Sequence, residues 1–202
     1  MNSYLVASFA GYFLGSFQTA YFLGKIINKI DIREHGTNNA GASNVTTVMG
    51  WKYGVATALV DILKGIVAVL FIRFFVSKSE IFPFIAGSTA VLGHIFPYYL
   101  GFRGGKGLAT MLGMTLAYDY RIGLILFLVV LIITIVTDYI ALGAIVMYSL
   151  FPILTLYFGH PIEGVYIGIT LALIAYFKHY GNFIRIKNNE ESGLRAALKS
   201  RK

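Results

Sequence analysis

Apolar residues in this chain fall in long continuous runs separated by short polar segments. A helix needs about 20 apolar residues to cross the hydrocarbon core of a bilayer, because each residue rises about 1.5 Å and an unpaired backbone group is costly in lipid. Candidate spans at or near that length cover residues 4–23, 53–76, 81–100, 108–118, 122–137, 139–158 and 162–177. The fourth is too short for a full-thickness crossing, so it implies a thinned or tilted crossing or a re-entrant piece packed within protein. The pattern therefore predicts an all-α fold, a polytopic transmembrane helical bundle of about seven spans, with six as the alternative count. No linker or long polar stretch divides residues 1–202, which read as a single integral membrane domain, and no internal repeat is visible.

The positions of lysine and arginine orient the bundle. Lys25, Lys29, Arg33 and Lys52 lie between the first two spans, Arg103 and Lys106 between the third and fourth, and Lys178, Arg185, Lys187, Arg195, Lys199, Arg201 and Lys202 after the last. The other side carries little beyond Lys78 and Arg121. Seven crossings put all three basic segments in the cytoplasm and the N-terminus outside, whereas an even count would split them. Lys25 is the first basic residue and follows the first apolar stretch, so that stretch is expected to stay as a helix and not to be a cleaved signal.

Composition agrees with lipid as the main solvent: 57% of residues are hydrophobic and 13% charged, with a mean hydropathy of +0.71. The formal charge of +8 sits in short loops and the C-terminus, which fits membrane lipid headgroups and phosphorylated substrates and argues against nucleic acid. With no cysteine there is no thiol nucleophile and no disulfide. The scattered histidines and few carboxylates show no metal-ligand spacing, and no cofactor is implied.

Smaller features have packing explanations. Gly11 and Gly15 form a GxxxG that allows a close helix approach, and Tyr98 and Tyr99 read as interfacial aromatics.

The polar residues gather in segments on the side that charge makes cytoplasmic. The first loop, DIREHGTNNAGASNV over 31–45, has glycines that permit unusual backbone angles, including Gly41, with Thr37, Asn39, Ser43 and Asn44 as side-chain donors. It suits a phosphate cradle; the alternative is a solvated connection rich in turn residues. The second, GFRGGKG over 101–107, sets Lys106 among Gly104, Gly105 and Gly107 at the start of the short fourth helix, where amides and an ammonium suit an anion. It is not a nucleotide P-loop, since Leu100 stands where the first glycine is needed and Gly107 where a hydroxyl must hold magnesium. The third, KHYGNFIR over 178–185, places His179, Asn182 and Arg185 at intervals of three, roughly on one helical face. Within the second span, Asp61 and Lys64 form an i,i+3 pair that either fixes packing or touches substrate. His94 and Pro97 precede the second loop, to hold its geometry or to line the site.

In order and spacing, Gly15 and Ser16, the first loop, DILKG over 61–65, LGHIFP over 92–97 and GFRGGKGLAT over 101–110 resemble the bacterial acyl-phosphate-dependent glycerol-3-phosphate acyltransferases. That resemblance implies a seven-helix inner-membrane enzyme transferring an acyl group from acyl phosphate to the 1-hydroxyl of glycerol 3-phosphate, giving lysophosphatidic acid and phosphate. It further implies that Thr37 and Asn39 stand at the family's serine and asparagine positions, that Lys106 with Gly104 and Gly105 serves the phosphates, and that His179 and Asn182 complete the acceptor site; Gly107 and Thr110, in the same segment, are further candidates for substrate binding.

The chain departs from the family pattern at several points. Thr46 and Thr47 stand in the region of an expected arginine, YIALGA over 139–144 lacks an expected serine and ends in Ala144, and Tyr180 and Gly181 replace charged residues between the histidine and asparagine. Loss of a bidentate arginine removes about 1.5 to 3 kcal/mol of phosphate binding unless Arg33, Arg103 or Arg185 supplies it. The alternatives are an acyltransferase for another phosphorylated acceptor and a noncatalytic relative that binds acyl phosphate or lipid.

Overall fold

A computed structural model describes residues 2–199, and no strand occurs among them. Arg201 and Lys202, part of the third basic segment, lie outside the described residues. The helices run α1 Ser3–Ser16, α2 Thr19–Leu23, α3 Ala42–Met49, α4 Trp51–Phe75, α5 Ile81–Ile95, α6 Leu108–Tyr118, α7 Tyr120–Thr137, α8 Ile140–Tyr157, α9 Ile162–Lys187 and α10 Leu194–Lys199. Trp51–Phe75, Ile81–Leu100, Tyr120–Thr137 and Ile140–Tyr157 are long and apolar enough to cross a membrane. Large apolar side chains such as Phe74, Phe75 and Leu128 point outward from them, as lipid-facing surfaces do.

Three expected spans are built differently from their sequence pattern. The run 4–23 is not one helix: the backbone turns extended at Phe17 and Gln18. The groups this break frees are satisfied by side chains, as a low-dielectric setting demands. Lys64 Nζ donates to the Phe17 carbonyl at 2.7 Å, the Gln18 N–H donates to Tyr99 Oη at 3.1 Å, and Tyr99 Oη donates to the Ser16 carbonyl at 2.9 Å. Tyr99 is thus a tie across the break and not merely an interfacial ring.

The run 81–100 ends as an α-helix at Ile95, because Pro97 cannot continue it and biases Phe96 out of helical geometry. In contrast, α9 extends past residue 177 to Lys187, which carries its polar last turns beyond the apolar run. The short helix α6 has 11 residues, about half a membrane thickness at 1.5 Å per residue.

Glycines set the crossings. A Cβ at Gly11 or Gly15 would overlap the carbonyls of Ala86 and Ala90, so the α1–α5 contact requires the expected GxxxG. Gly65 and Gly113 bring α4 and α6 together in the same way. Val69, Met111, Met114, Leu126 and Met147 fill the core beside the Phe84 ring, which meets Tyr118 edge-on and stacks on Phe151. One end of the bundle carries Glu80, Asp119 and His160 in a polar cluster; the opposite end gathers the three basic segments.

Candidate functional site

The first loop is organised by a single buried amide. Asn44 Nδ2 donates toward the carbonyls of Ile32, His35 and Asn39 at 2.9–3.0 Å, and its Oδ1 accepts from the Thr37 N–H at 2.7 Å. Gly36, at φ +61°, packs so closely on Asn44 that a side chain there would overlap its amide. Asp31 accepts from the Arg33 N–H and guanidinium, and this pairing holds its carboxyl below the usual carboxylate range. Arg33 also donates to the Leu100 carbonyl at 2.7 Å, which leaves it committed to joining the two loops. Asn39 Nδ2 donates to Thr37 Oγ1 at 2.8 Å, presenting these two side chains as a unit.

The second loop lies directly beneath the first. The Gly104 and Gly105 N–H groups donate to the carbonyls of Ile95 and His94 at 3.2 and 3.1 Å, and the Ala40 N–H donates to the Gly104 carbonyl at 3.4 Å. These glycines are required because a Cβ on either would strike His94. Their amides are therefore occupied by backbone, and their contribution is to let Lys106 rise beside the first loop. Gly107, at φ +84°, packs on the Tyr148 hydroxyl, which donates to the Lys106 carbonyl at 3.3 Å. Burial pulls the Lys106 ammonium down to about 8, partly opposed by the nearby Glu191 carboxylate.

The third segment meets Lys106 from α9. Lys106 Nζ donates to Asn182 Oδ1, and Asn182 Nδ2 donates to Glu191 Oε1 at 2.5 Å. Arg185 Nε donates to Glu191 Oε2 at 2.7 Å. His179 Nδ1 lies 2.8 Å from the Ala175 carbonyl; a carbonyl only accepts, so Nδ1 carries the proton and Nε2 is left as a base.

These groups line one cavity of about 360 Å³. Thr37, Asn39, Gly41, Ser43, Lys106, Gly107, His179, Asn182 and Glu191 form its polar end. Ala58, Ile62, Leu112, Phe127, Val130, Leu131 and Ala144 form an apolar end between α4, α6, α7 and α8. Phe127 and Leu131 are 44% and 42% exposed, so the apolar end reaches the lipid-facing surface. The arrangement can hold anionic groups beside a neutral imidazole while a hydrocarbon chain lies among the helices.

On the cavity's inner wall, Asp61 and His94 belong to a buried cluster. Lys64 Nζ lies 2.8 Å from Asp61 Oδ1 and donates to His94 Nδ1 at 2.8 Å as well as to Phe17. Gln18 Nε2 donates to the His94 carbonyl at 3.0 Å. The ion pair expected from its spacing thus braces the α1 break and the second loop.

Thr37, Asn39, Gly41, Ser43, His94, Lys106, Gly107, His179 and Asn182 come together at the cavity. Asn44, Gly104, Gly105, Thr110 and Arg185 are not in its lining. Asn44 and the two glycines shape loops, as above. Thr110 is fully buried at the α4–α6 crossing, where its carbonyl abuts Gly65. Arg185 sits just behind the lining, on Glu191. Of the cations considered for the missing arginine, Arg33 is committed and Arg103 is exposed, while Arg185 is at the site. Thr47 is exposed, its hydroxyl donating to the Ser43 carbonyl at 3.2 Å. Sequence reasoning missed Glu191 and Tyr148: the first follows α9 in a polar tail with no periodic signal, and the second resembles any buried tyrosine.

A family profile described as glycerol-3-phosphate acyltransferase matches residues 5–189. The chain is 35% identical to glycerol-3-phosphate acyltransferase 1 of Oceanobacillus iheyensis, over 95% of both chains. It is 38% identical to glycerol-3-phosphate acyltransferase of Halalkalibacterium halodurans, over 91% of both. Its fold matches the crystal structure of PlsY, an integral membrane glycerol 3-phosphate acyltransferase, in the glycerol 3-phosphate form, with a TM-score of 0.87, 30% identity and 96% coverage of each chain. The lysophosphatidic acid form of PlsY matches with a TM-score of 0.84 at 30% identity, covering 98% of this chain and 100% of that one.

Proposed function

Because this chain belongs to the glycerol-3-phosphate acyltransferase family, we propose that its cavity holds acyl phosphate beside glycerol 3-phosphate and transfers the acyl group to the 1-hydroxyl, releasing lysophosphatidic acid and phosphate. The observation that carries the reading is the meeting of Thr37, Lys106 and His179, from three distant segments, at the polar end of one cavity whose other end is apolar.

An acyl phosphate is already activated, so no covalent acyl-enzyme is needed. The protein's work is to juxtapose two anions, orient a hydroxyl and stabilise developing charge. Lys106 neutralises the leaving phosphate and faces the acceptor's phosphate as well, with Gly107 lining the same end. Thr37, Asn39, Ser43 and Asn182 orient the acceptor. The acceptor's 1-oxygen attacks the carbonyl carbon, the bond from that carbon to the phosphate oxygen breaks, and the hydroxyl proton passes to His179 Nε2 or to the acceptor's own phosphate. The acyl chain lies against Ile62, Leu112 and Leu131, entering from the bilayer.

In this reading residues 1–202 form one multi-pass domain of a bacterial plasma (inner) membrane, with about seven crossings, the N-terminus outside and the C-terminus in the cytoplasm. The gathering of the basic segments at one end of the bundle supports that topology. The test is to incubate detergent-purified protein with acyl phosphate and a panel of phosphorylated and neutral alcohols, measuring phosphate and lipid product together. Lysophosphatidic acid formed only with glycerol 3-phosphate is expected. Phosphate without lipid would mean hydrolysis, a different lipid would mean another acceptor, and neither would mean a binding protein.

A further inference from the structure

The polar end of the cavity already contains an anion supplied by the chain itself. Glu191 follows α9, and its side chain is only 8% exposed. It accepts from Asn182 Nδ2 and Arg185 Nε, while Asn182 in turn receives the Lys106 ammonium. An amide, a guanidinium and an ammonium converging on one place are the donor set of a phosphate site. Here a carboxylate occupies the amide and the guanidinium, while the ammonium bonds the amide's oxygen.

The segment bearing Glu191 is held as a separate piece. At the end of α9 the chain reverses through Asn189, at φ +58°, where the Glu190 N–H donates to the Arg185 carbonyl at 2.8 Å. It then crosses the cavity mouth, which Leu194 lines. It is tied to the end of α7 and the turn that follows: the Leu194 N–H donates to the Asp138 carbonyl and the Arg195 N–H to Asp138 Oδ1, both at 2.8 Å, and the Arg195 guanidinium donates to the Ile135 carbonyl at 3.2 Å. These are polar contacts at the exposed end of α7.

Resting on the phosphate-handling role given to this end above, we infer that Glu191 is a built-in competitor for a substrate's phosphate, which enters by displacing the carboxylate from Asn182 and Arg185. A phosphate beside Lys106 and a carboxylate on Asn182 would sit as like charges in a partly desolvated space, which strongly disfavours joint occupancy. Displacement resolves the conflict. It frees Arg185, the cation nearest the site in a chain whose first loop has Thr47 where an arginine was expected, and it withdraws Leu194 from the cavity mouth. The carboxylate keeps the cations neutralised while the site is empty and selects ligands whose charge exceeds its own.

The test is calorimetric titration of the full chain in detergent with glycerol 3-phosphate, comparing wild type, Glu191→Gln and Lys106→Ala. A tail seated about nine times in ten weakens apparent binding about tenfold, so Glu191→Gln is expected to bind about tenfold more tightly, and Lys106→Ala much more weakly than wild type. A nitroxide on Ser192→Cys, the sole thiol in a chain without cysteine, should gain mobility as ligand saturates. Unchanged or weaker binding by Glu191→Gln, or a label that ligand does not loosen, overturns the inference while leaving the site's role intact if Lys106→Ala still abolishes binding. No binding by wild type or Glu191→Gln overturns both.

Discussion

Two charged clusters lie on the same cavity, and they differ in who their partners are. Asp61, Lys64 and His94 are all at least nine-tenths buried and spend their donors and acceptors on one another and on the Phe17 carbonyl. Lys106 instead meets an amide, and behind it a carboxylate on a tail outside the bundle. The first is closed and holds backbone that no helix satisfies. The second is completed by a group that can leave. Buried charge in a membrane protein therefore marks importance without telling its kind; the replaceability of the partner does.

The largest effect that sharpens this contrast is loss of fold. Asp61→Ala leaves the Lys64 ammonium buried without its counter-ion and should destabilise by about 3 to 5 kcal/mol, read as a fall in the melting temperature in detergent. If Asp61→Ala melted like wild type and lost only turnover, the closed cluster would be catalytic after all.

Lys106→Ala should do the opposite, lowering kcat/KM by about 100-fold to 1000-fold, as removal of one electrostatic stabiliser does, with little change in melting. Phosphate release and lipid product should fall together.

A third effect comes from pH. Burial holds the Lys106 ammonium down to about 8, so its cationic form is complete below that value and is lost as pH rises through it. Catalysis that needs the cation should therefore fall above about pH 8, approaching tenfold per unit. Lys106→Arg, with a guanidinium that stays charged, should lose that alkaline limb whatever its absolute rate.

The smallest effect concerns support. Tyr148→Phe removes one bond to the Lys106 carbonyl, worth about 0.5 to 1.5 kcal/mol. A fall of a few-fold in kcat/KM is expected, with acyl-chain preference unchanged.

Much of this was legible from residue order, because lipid imposes a simple rule on apolar runs. The α4 and α7 boundaries fall within two residues of their apolar runs, and Gly11 and Gly15 make the close crossing their spacing suggests. The misreadings share a cause. The break at Phe17 is invisible in a hydropathy profile because its stabilising partners, Lys64 and Tyr99, are 47 and 82 residues away from Phe17 in sequence. Gly104 and Gly105 suggested free amides, yet those amides pair with the end of α5. Asn44 and Thr110 drew attention as polar residues in the right segments, and both are buried away from the cavity lining, Asn44 organising the first loop and Thr110 lying at the α4–α6 crossing. Glu191 carried no local signal, since its role depends on where α9 ends and how the chain turns back.

The most direct test of the account is a high-resolution structure of the detergent-solubilised or lipid-reconstituted protein soaked with glycerol 3-phosphate. The account predicts the ligand at the polar end of the cavity, a phosphate oxygen about 3 Å from Asn182 Nδ2 or Arg185, and the 1-hydroxyl turned toward His179 and Lys106. Phosphate density remote from Thr37, Lys106 and His179, in a protein that still makes lysophosphatidic acid, would contradict it.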